Sequence, residues 1–287
     1  MNGKKKHEAK GRHNDRMAKD LVSICIPVFN SETTIKNTIT SALCQTYTNL
    51  ELVIVDNHST DRTWKIINSI TDSRIKKFQN DSNIGMTGNW NKCLEYASGE
   101  YIHFLCGDDI ILPDCIEKKM SKIKKSENIV MVFSASDVIN EDGKTVLHRA
   151  YSNKDCIVDG VKLAKKAFLF RNLYGEPSNV LFQKKLLQRT GVFPTNVKYS
   201  IDLDLWIRLS CQGKVAFVSK PLMKYRISKS NGTSTFTVKT FSDDDKVFVE
   251  NIIRYGYFNI SPFTKMLHFF IHKQRMRMRL LFIKLKS

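Results

Sequence analysis

The chain has 287 residues, 42% of them hydrophobic, which is enough to bury a substantial core in one large domain or in one domain with appendages. No run of 18 uncharged apolar residues occurs and the first twenty residues lack the apolar stretch of a secretory signal, so the composition argues against a membrane-spanning or secreted protein and predicts a cytoplasmic one. The net charge is +18, but residues 1–20 carry +4 and residues 251–287 carry +8, a distribution that suits an anionic surface better than a groove along nucleic acid.

After a basic tail, the chain begins with a strand, a helix and a second strand. The apolar run at 21–29 is rich in Val and Ile and ends in an Asn-Ser pair, which predicts a buried strand followed by a turn. Apolar residues recur with helical spacing over 35–43, and Asn30 or Ser31 is the predicted N-cap. The run at 51–57 predicts a second buried strand, so the unit is βαβ with a parallel pair of strands.

The same alternation continues to residue 105. The next predicted elements are a helix over 61–70, a strand over 74–79, a helix over 87–97 and a strand over 100–105. Four strands alternating with three helices indicate an α/β fold, with a mostly parallel sheet covered by helices on both faces. Such sheets bind ligands at the carboxyl ends of their strands. Asn30, Asp56 and Asp108 lie just past three of these ends, so we expect them to share one crevice.

Beyond residue 129 the pattern is less regular. The predicted elements are a strand over 129–139, a helix near 160–171, a strand near 178–183, an amphipathic segment over 200–211 and a strand that begins near 214. No internal repeat or low-complexity linker marks a boundary. We therefore predict one domain over residues 21–235, whose second half completes the site.

Two adjacent carboxylates, Asp108 and Asp109, follow the fourth strand in the stretch YIHFLCGDD. A solvated turn is the simplest explanation of such a pair. The turn after the first strand, PVFNSE, contains neither G-x-G-x-x-G nor a Walker A sequence to hold a diphosphate. A nucleotide bound at this edge of the sheet would need a divalent cation held by aspartate oxygens, and Asp108 and Asp109 can provide them.

Several segments, in order, resemble one enzyme family. VSICIPVFNSETTIKNTITSALCQTYTNLELVIVDNHSTDRT and NIGMTGNWNKCLEYASGEYIHFLCGDD are similar to the nucleotide-binding half of the family 2 glycosyltransferases, which have the GT-A fold. The resemblance is strong over residues 21–117 and looser to about residue 235. It implies a nucleotide-sugar-binding half over 21–117 and an acceptor half over 118–235. A basic, disordered N-terminal tail at 1–20 and a basic helical region at 236–287 would flank them.

The resemblance also implies roles in the donor site. The first loop of the family holds the base and ribose, and Asp56 matches the aspartate that accepts a hydrogen bond from the ring N–H of the base. A cap of the following turn is the alternative role for Asp56. The residues implied in donor binding are Pro27, Val28, Phe29, Asn30, Glu32, Asp56, Asn83, Asn91 and Asp108. Trp90 replaces the arginine that is usual in the family's N-x-G-L-S-x-A-R-N segment, and it is either a site residue or part of the core.

In the D-x-D region, commonly LDxDD in the family, this chain has LCGDD. Asp108 takes the position of the aspartate that binds Mg²⁺ or Mn²⁺ and bridges it to the diphosphate, and Asp109 either supports this metal site or approaches the donor sugar. Cys106 replaces the first acid, and a neutral thiol is a poor ligand for a hard cation. One carboxylate, two phosphate groups and waters still complete an octahedral site.

An inverting transfer needs a base that removes the proton of the incoming hydroxyl. The segment YSIDLDLWIRL resembles the family's E-D-x-D/E-L-W-x-R, in which the aspartate of the Glu-Asp pair is that base. Asp202 has this position, with Ile201 in place of the glutamate. Asp204 is the nearest competitor, and a helix cap is the alternative role for Asp202. The segment YRIS, from Tyr225 to Ser228, resembles a late Y-R-x-H element but lacks its histidine.

The C-terminal region predicts an amphipathic helix. Its apolar stripe contains Leu267, Ile271, Met278, Leu281 and Leu285, and its polar stripe contains His268, His272, Arg275, Arg279 and Lys286. The seven histidines of the chain show no ligand spacing. Such a helix suits the surface of an anionic membrane, and a terminal helix packed on the catalytic domain is the alternative.

Together these features predict an inverting glycosyltransferase. It would move a sugar from a nucleoside diphosphate sugar, of the UDP or dTDP type, to a hydroxyl of a saccharide or lipid-linked saccharide in cell-surface polysaccharide synthesis, as a cytoplasmic enzyme at the inner face of the plasma membrane. One alternative is a catalytically impaired relative, suggested by Cys106 and Trp90. Another is a nucleotidyltransferase. Enzymes of that class usually carry a Gly-rich basic loop after the first strand, and the segment PVFNSE has no such loop. Nucleic acid is not an expected partner, because most of the charge lies in the tails.

Overall fold

A computed structural model describes residues 19–170, 172–227 and 237–286 of the chain. The predicted N-terminal tail lies outside these residues as far as residue 18. Ten strands occur in the described part: β1 (Val22–Val28), β2 (Leu50–Asp56), β3 (Ile75–Gln79), β4 (Tyr101–Phe104), β5 (Ile110–Ile111), β6 (Ile129–Ile139), β7 (Thr145–Arg149), β8 (Cys156–Asp159), β9 (Leu181–Gln183) and β10 (Lys214–Arg226). It also contains nine α-helices: α1 (Ile35–Leu43), α2 (Thr63–Ser69), α3 (Gly85–Tyr96), α4 (Cys115–Ile123), α5 (Gly160–Leu169), α6 (Leu187–Thr190), α7 (Ile201–Ser210), α8 (Val238–Tyr255) and α9 (Pro262–Lys286).

The strands form one mixed sheet with the order β3-β2-β1-β4-β9-β6-β10-β5, to which β7 and β8 add beside β6 and β10. The first four strands of this order pair in parallel, β9 runs against both of its neighbours, and β6 and β10 are again parallel. Six of the eight strands along this order therefore point the same way, which confirms the predicted mostly parallel α/β sheet. The register pairs Val28 with Asp56, so the carboxyl ends of β1 and β2 lie level at one edge.

Hydrophobic side chains cover both faces of this sheet. Alternate residues of β1 and β2 point to opposite sides, as the period of a strand requires. On one side they pack against α1 and α4, through residues such as Ile39 and Ile116. On the other side they join a larger cluster from α3, α5, α7 and α8, which includes Leu94, Trp206 and Phe248. Strands buried on both faces explain the unbroken apolar runs in the sequence.

The first helix begins later than predicted. Residues 32–34 form a turn, α1 starts at Ile35, and Thr34 occupies the N-cap position, although its side chain makes no capping hydrogen bond to the helix. The predicted cap by Asn30 or Ser31 is therefore wrong. Asn30 has a positive φ of 47° and its Oδ1 accepts a hydrogen bond of 2.9 Å from the backbone N–H of Thr60. This asparagine joins two loops instead of capping a helix.

The segment predicted to be amphipathic, α7, is buried on nearly every side. All of its residues except Asp202 are buried. It lies between α5 and α8, so the face expected to meet water is covered by the C-terminal part of the chain. A helix enclosed in this way carries apolar residues on all sides, so its sequence does not show a clear polar face.

Two long helices follow β10. A capping box of Thr237 and Thr240 starts α8, and Gly256 ends it with a φ of 67°, a conformation that favours glycine. The last helix, α9, packs on α8 and α5. Of the helices that the structure describes, none is both long and apolar enough to cross a membrane.

The orientation predicted for the C-terminal helix is wrong. His268 and His272, assigned to a polar stripe facing outward, are buried against α8, with 0% and 8% of their surfaces exposed. The exposed face instead carries Phe263, Met266 and Phe270, each more than 60% exposed. The side chains of Arg279, Leu281, Leu285 and Lys286 lie outside the described part of the chain.

Candidate active site

The loops that follow β1 and β2 are tied together by hydrogen bonds. The backbone N–H of Asn30 donates to Ser59 Oγ at 2.9 Å, and Asn30 Oδ1 accepts from the N–H of Thr60. Glu32 Oε2 accepts from both the backbone N–H and the Nε of Arg62, at 3.0 and 3.1 Å. These bonds fix the edge of the crevice, so a ligand would meet loops that are already ordered.

Only part of the predicted first loop is accessible. Pro27 and Val28 are the last residues of β1 and are buried, and the carbonyl of Val28 accepts a hydrogen bond of 2.8 Å from the N–H of Asn57. Phe29, by contrast, is 45% exposed, and Asn30 beside it is exposed as well. Side-chain contacts to a ligand are therefore open to Phe29 and Asn30, while Pro27 and Val28 form the floor beneath them.

Asp56 is fully buried at the end of β2. Its Oδ1 accepts a hydrogen bond of 2.5 Å from Ser59 Oγ, and its Oδ2 accepts from the N–H of Ser59 at 3.1 Å and from Gln79 Nε2 at 2.9 Å. The carboxylate thus closes the turn that follows β2, which is the alternative role considered for it. Through Ser59 it is also joined to Asn30, as expected for two residues of one crevice.

Asn83 orders the start of α3. Its Oδ1 accepts hydrogen bonds from Asn57 Nδ2 at 2.8 Å and from the N–H of Gly85 at 2.9 Å. Gly85 has a φ of 79°, a conformation in which a side chain is strained. Asn83 therefore shapes the loop at the rim of the crevice, and its own side chain is exposed.

Asn91 and Trp90 connect the two halves of the domain. Asn91 Nδ2 donates to the carbonyl of Phe193, and Asn91 Oδ1 accepts from the N–H of Phe193, both at 3.0 Å. The structure thus gives Asn91 a structural role in place of the predicted donor contact. Trp90 is 8% exposed and packs against Phe104 and Phe193, with ring centroids 5.6 and 5.0 Å away. Trp90 belongs to the core, which decides between its two predicted roles.

Asp109 holds the turn that follows β4. It is 1% exposed, its Oδ2 accepts a hydrogen bond of 2.5 Å from Ser178 Oγ, and its Oδ1 accepts from the N–H of Arg226 at 3.0 Å. Its carbonyl accepts from Thr38 Oγ1 at 2.9 Å. Asp109 therefore joins α1, the segment before β9 and the end of β10. Of its two predicted roles, the geometry favours support of the neighbouring Asp108.

Asp108 has a different environment. It is half-buried, and its carboxylate receives no hydrogen bond from the side chains that the structure describes. Arg226 lies beside it and donates from Nε to its backbone carbonyl at 3.1 Å. Burial raises the pKa of Asp108 above its usual range, and the charge of Arg226 opposes part of that rise. A carboxylate that is largely desolvated and lacks a side-chain donor fits the requirements of a ligand for a hard divalent cation.

Cys106 does not fit such a cation. Burial, together with the charges of Asp109 and Asp108, raises the pKa of its thiol well above the usual value, so the sulfur stays protonated. Its backbone N–H donates to Ser178 Oγ at 2.9 Å, and Thr34 Oγ1 donates to the carbonyl of Gly107 at 2.8 Å. The turn that carries Asp108 is thus held by its backbone on two sides.

Asp202 is the half-buried first-turn residue of α7. Burial, and secondly the charge of Glu176, raise its pKa to about 7, while a hydrogen bond of 2.9 Å from Asn172 Nδ2 acts in the opposite direction. A carboxyl group with this pKa is about half ionised at neutral pH, which suits a general base. Asp204, its competitor, is fully buried and paired with Arg208 at 2.7 Å, so it cannot meet a substrate.

Glu176 is a site residue that sequence reasoning missed. It is half-buried and its Oε1 accepts a hydrogen bond of 2.6 Å from Arg149. Its charge raises the pKa of Asp108, Asp109 and Asp202, so these groups surround one region. It lies in the segment GEPSNVLF, between a glycine and a Pro-Ser pair, and this acid next to the predicted strand near 178–183 was the available signal.

Comparison with known proteins identifies the family. The family model for Glycosyl transferase family 2 matches residues 23–199, well over half of the chain and including β1 to β9. The chain belongs to glycosyl transferase family 2. It is therefore a glycosyltransferase.

Relatives and solved structures agree with this family. The Escherichia coli protein WfaP, a UDP-Glc:alpha-D-GlcNAc-diphosphoundecaprenol beta-1,3-glucosyltransferase, is 34% identical over 196 residues, which cover 68% of this chain and 72% of WfaP. The structure of S. aureus TarS 1-349 in complex with UDP-GlcNAc has a TM-score of 0.66 at 19% identity, covering 82% of this chain and 66% of the other, slightly under two thirds. Mannosyltransferase PcManGT from Pyrobaculum calidifontis, in complex with GDP-Man and Mn²⁺, has a TM-score of 0.60 at 18% identity, with coverages of 88% and 69%. These similarities confirm the predicted GT-A fold.

Proposed function

We propose that this family 2 enzyme is an inverting glycosyltransferase that moves a sugar from a nucleoside diphosphate sugar, of the UDP or dTDP type, to a hydroxyl of a saccharide acceptor. The observation that carries the proposal is the half-buried position of Asp202 in the first turn of α7, where its carboxyl group accepts a hydrogen bond from Asn172 and where burial and Glu176 raise its pKa to about 7. A base poised near neutral pH, together with a carboxylate that accepts no hydrogen bond from a described side chain, is the combination that displacement of a nucleoside diphosphate requires.

For the donor, we infer that residues 21–117 bind the nucleotide sugar and residues 118–235 bind the acceptor. Phe29 and Asn30 offer exposed surface for the base and ribose, and Asp56 lies at the end of the neighbouring strand. Because the loops are already joined by hydrogen bonds, little ordering is needed when a nucleoside binds. The UDP named in the TarS complex and the UDP-Glc in the name of WfaP support a uracil-type donor.

Asp108 is the proposed ligand of a divalent cation, Mg²⁺ or Mn²⁺, with Asp109 holding the turn beneath it. When bound, such a cation supplies positive charge for the departing diphosphate. Arg226, hydrogen-bonded to the carbonyl of Asp108, brings a second positive charge to the same place. The Mn²⁺ present in the PcManGT complex supports this type of ion.

At the acceptor, Asp202 removes the proton from the attacking hydroxyl. The hydroxyl oxygen forms the new bond to the anomeric carbon while the bond to the diphosphate oxygen breaks and its electron pair leaves with the nucleotide. Attack opposite the leaving group inverts the configuration at that carbon. Asn172 orients the carboxyl group of Asp202, and Glu176 keeps its pKa high enough for it to accept a proton near neutral pH.

We further infer that the acceptor is a lipid-linked saccharide used in cell-surface polysaccharide synthesis. The name of WfaP specifies a diphosphoundecaprenol-linked acceptor. In this chain Phe263, Met266 and Phe270 form an exposed apolar face on α9, with Lys273 and Arg277 also exposed. An apolar face next to cations matches an anionic membrane surface, which would place the enzyme peripherally on the inner face of the plasma membrane.

Thermal unfolding with UDP-, dTDP- and GDP-sugars, each with and without Mn²⁺, tests the donor and the cation together. We expect one nucleotide class to stabilise the protein only when the metal is present. Transfer to a GlcNAc-diphospholipid, followed by NMR of the product anomer, then tests the reaction. Asp202→Asn should retain donor binding and lose transfer. Donor binding without any transfer by the wild type would instead support the impaired relative.

A further inference from the structure

A cluster of three buried side chains lies outside the crevice, between the two C-terminal helices. Asp245 comes from α8, and His268 and His272 come from successive turns of α9. Their exposed fractions are 3%, 0% and 8%, and one ligand atom of each lies within 4.8 Å of the others. Histidines four residues apart share one face of a helix and can bind one ion. The sequence-based conclusion that the histidines show no ligand spacing is therefore wrong.

The hydrogen bonds of His268 determine which of its nitrogens is free. Its Nδ1 lies 2.7 Å from the carbonyl oxygen of Phe168, and a carbonyl can only accept, so Nδ1 carries a hydrogen. In a neutral ring Nε2 then has a lone pair, and this nitrogen lies 3.1 Å from Oδ1 of Asp245. A lone pair and a carboxylate oxygen repel each other at this distance unless a proton or a metal ion is shared between them.

His272 makes a metal ion the better explanation. Its Nδ1 is 3.4 Å from the same oxygen of Asp245, longer than the 2.7–3.2 Å of an ordinary N–H···O hydrogen bond. Its Nε2 is buried without a hydrogen-bond partner among the described residues. Separations of 3.1 and 3.4 Å bracket the spacing of about 3.3 Å between ligands of a tetrahedral zinc ion.

The surroundings also match a structural metal site. Metal-bound histidines usually donate their second ring N–H to a carbonyl or carboxylate, as His268 does to Phe168. The ring of Phe168 stacks on His268 with centroids 4.3 Å apart, and Phe248 lies 6.0 Å away, so the cluster is shielded from water. Two imidazoles and one carboxylate favour zinc over Mg²⁺ or Ca²⁺, which prefer all-oxygen sites.

We propose that Asp245, His268 and His272 bind one Zn²⁺ ion, and that this ion fixes α9 to α8. The site is independent of the proposed transfer reaction, because none of its residues borders the crevice. The free energy of metal binding would add to the stability of the C-terminal helices, as it does in other structural zinc sites.

The test is metal analysis of the untagged, full-length protein after dialysis against Zn²⁺ and then against metal-free buffer. We expect about one zinc per chain, a rise in Tm of about 5 °C or more on adding Zn²⁺ to the chelated protein, and visible absorption typical of tetrahedral Co²⁺ after substitution. Asp108→Asn should keep the zinc, which separates this site from the catalytic cation.

His272→Gln is the decisive variant. It should lose the zinc and the response of Tm to added metal. His148→Gln is the matched control, because His148 also contacts a carboxylate, Asp137, at 2.9 Å, but on the exposed strand β7. This control should bind zinc like the wild type. If the wild type binds no zinc, or if its Tm responds to neither chelator nor Zn²⁺, the cluster is held by a proton and the proposal is wrong.

Discussion

The side-chain amide of Asn172 donates a hydrogen bond of 2.9 Å to Asp202. This bond favours the charged form of the carboxyl group, whereas burial and Glu176 favour the neutral form and raise the pKa to about 7. Asp202 therefore changes its charge within the pH range in which the enzyme would be assayed, and pH is a direct probe of its role.

The rate of transfer should rise with pH between about 6 and 8, because only ionised Asp202 accepts a proton. Asn172→Ala removes a hydrogen-bond donor to the charged form of Asp202, so the pKa of Asp202 should rise further. The acid limb of the pH–rate profile should then move to higher pH. The measurement is kcat as a function of pH for both proteins. Asn153→Ala, at an exposed position, is the control and should leave the limb unmoved. An unchanged limb in Asn172→Ala would contradict the role of Asn172.

Asp202→Asn should lower kcat about 10²- to 10⁴-fold, because it removes the base. It should also stabilise the protein at pH 8. The folded-state pKa of about 7 lies above the 3.8 of an ordinary aspartate, so ionisation opposes folding. This penalty is absent below about pH 4, grows as the pH rises to 7 and is complete above 7. We expect a gain of roughly 1–3 kcal/mol at pH 8 and none at pH 4, measured by denaturant unfolding. Asp204→Asn should instead be destabilising, because it leaves Arg208 buried without its partner.

Asp108→Asn and Ser178→Ala should separate metal binding from support of the turn. Asp108→Asn should abolish Mn²⁺-dependent stabilisation by the donor, with little change in the Tm of the free protein, because no described side chain bonds to its carboxylate. Ser178→Ala should lower stability by about 1–3 kcal/mol, because it removes a donor to the buried Asp109. Thermal unfolding with and without ligand measures both effects. A large loss of stability in Asp108→Asn would argue for a structural role.

Trp90→Arg restores the residue usual in the family and should destabilise the protein by about 3 kcal/mol or more. The arginine would replace a ring packed against Phe104 and Phe193 and would bury a charge without a partner. Trp90→Phe, which keeps an aromatic ring, should cost much less. Denaturant unfolding gives both values. A stable Trp90→Arg protein with increased transfer would show that the tryptophan impairs the site.

Replacement of Phe263, Met266 and Phe270 by serine should reduce sedimentation with anionic liposomes at low salt at least several-fold, because the apolar face of α9 would be lost. The matched control replaces Val146 and Leu147, which are also exposed but lie on β7. This control should sediment like the wild type. Equal sedimentation of all three proteins would exclude α9 as the membrane-binding face.

The sequence predicted the first half of the fold well because its signals are local. Strands β1, β2 and β4 are buried on both faces, so each appears as an unbroken apolar run, and polar residues mark where the chain turns at the edge of the sheet. The shared crevice and the roles of Asp108 and Asp202, which were inferred from topology and motifs, remain predictions.

The errors concern residues whose partners are distant in the chain. Asn91 was assigned to the donor, but its partner is Phe193, about one hundred residues away. Glu176 acts on the site through its charge, which raises the pKa of three aspartates in other segments of the chain. His268 and His272 look like cations on a polar stripe until α8 covers them. Periodicity shows that a helix has two faces, but the rest of the fold decides which of them meets water.

The pair of hydrogen bonds between Asn91 and Phe193 limits how such enzymes can diversify by recombination. Phe193 lies on the path from β9 to α7, so a side chain of the first half of the domain helps to set where α7 begins. A chimaera that takes its first 117 residues from this chain and the remainder from a relative inherits only one partner of that contact. Exchange of acceptor specificity between family members should therefore succeed most often when the donor parent carries asparagine at this position and the acceptor parent keeps the length of the loop around Phe193.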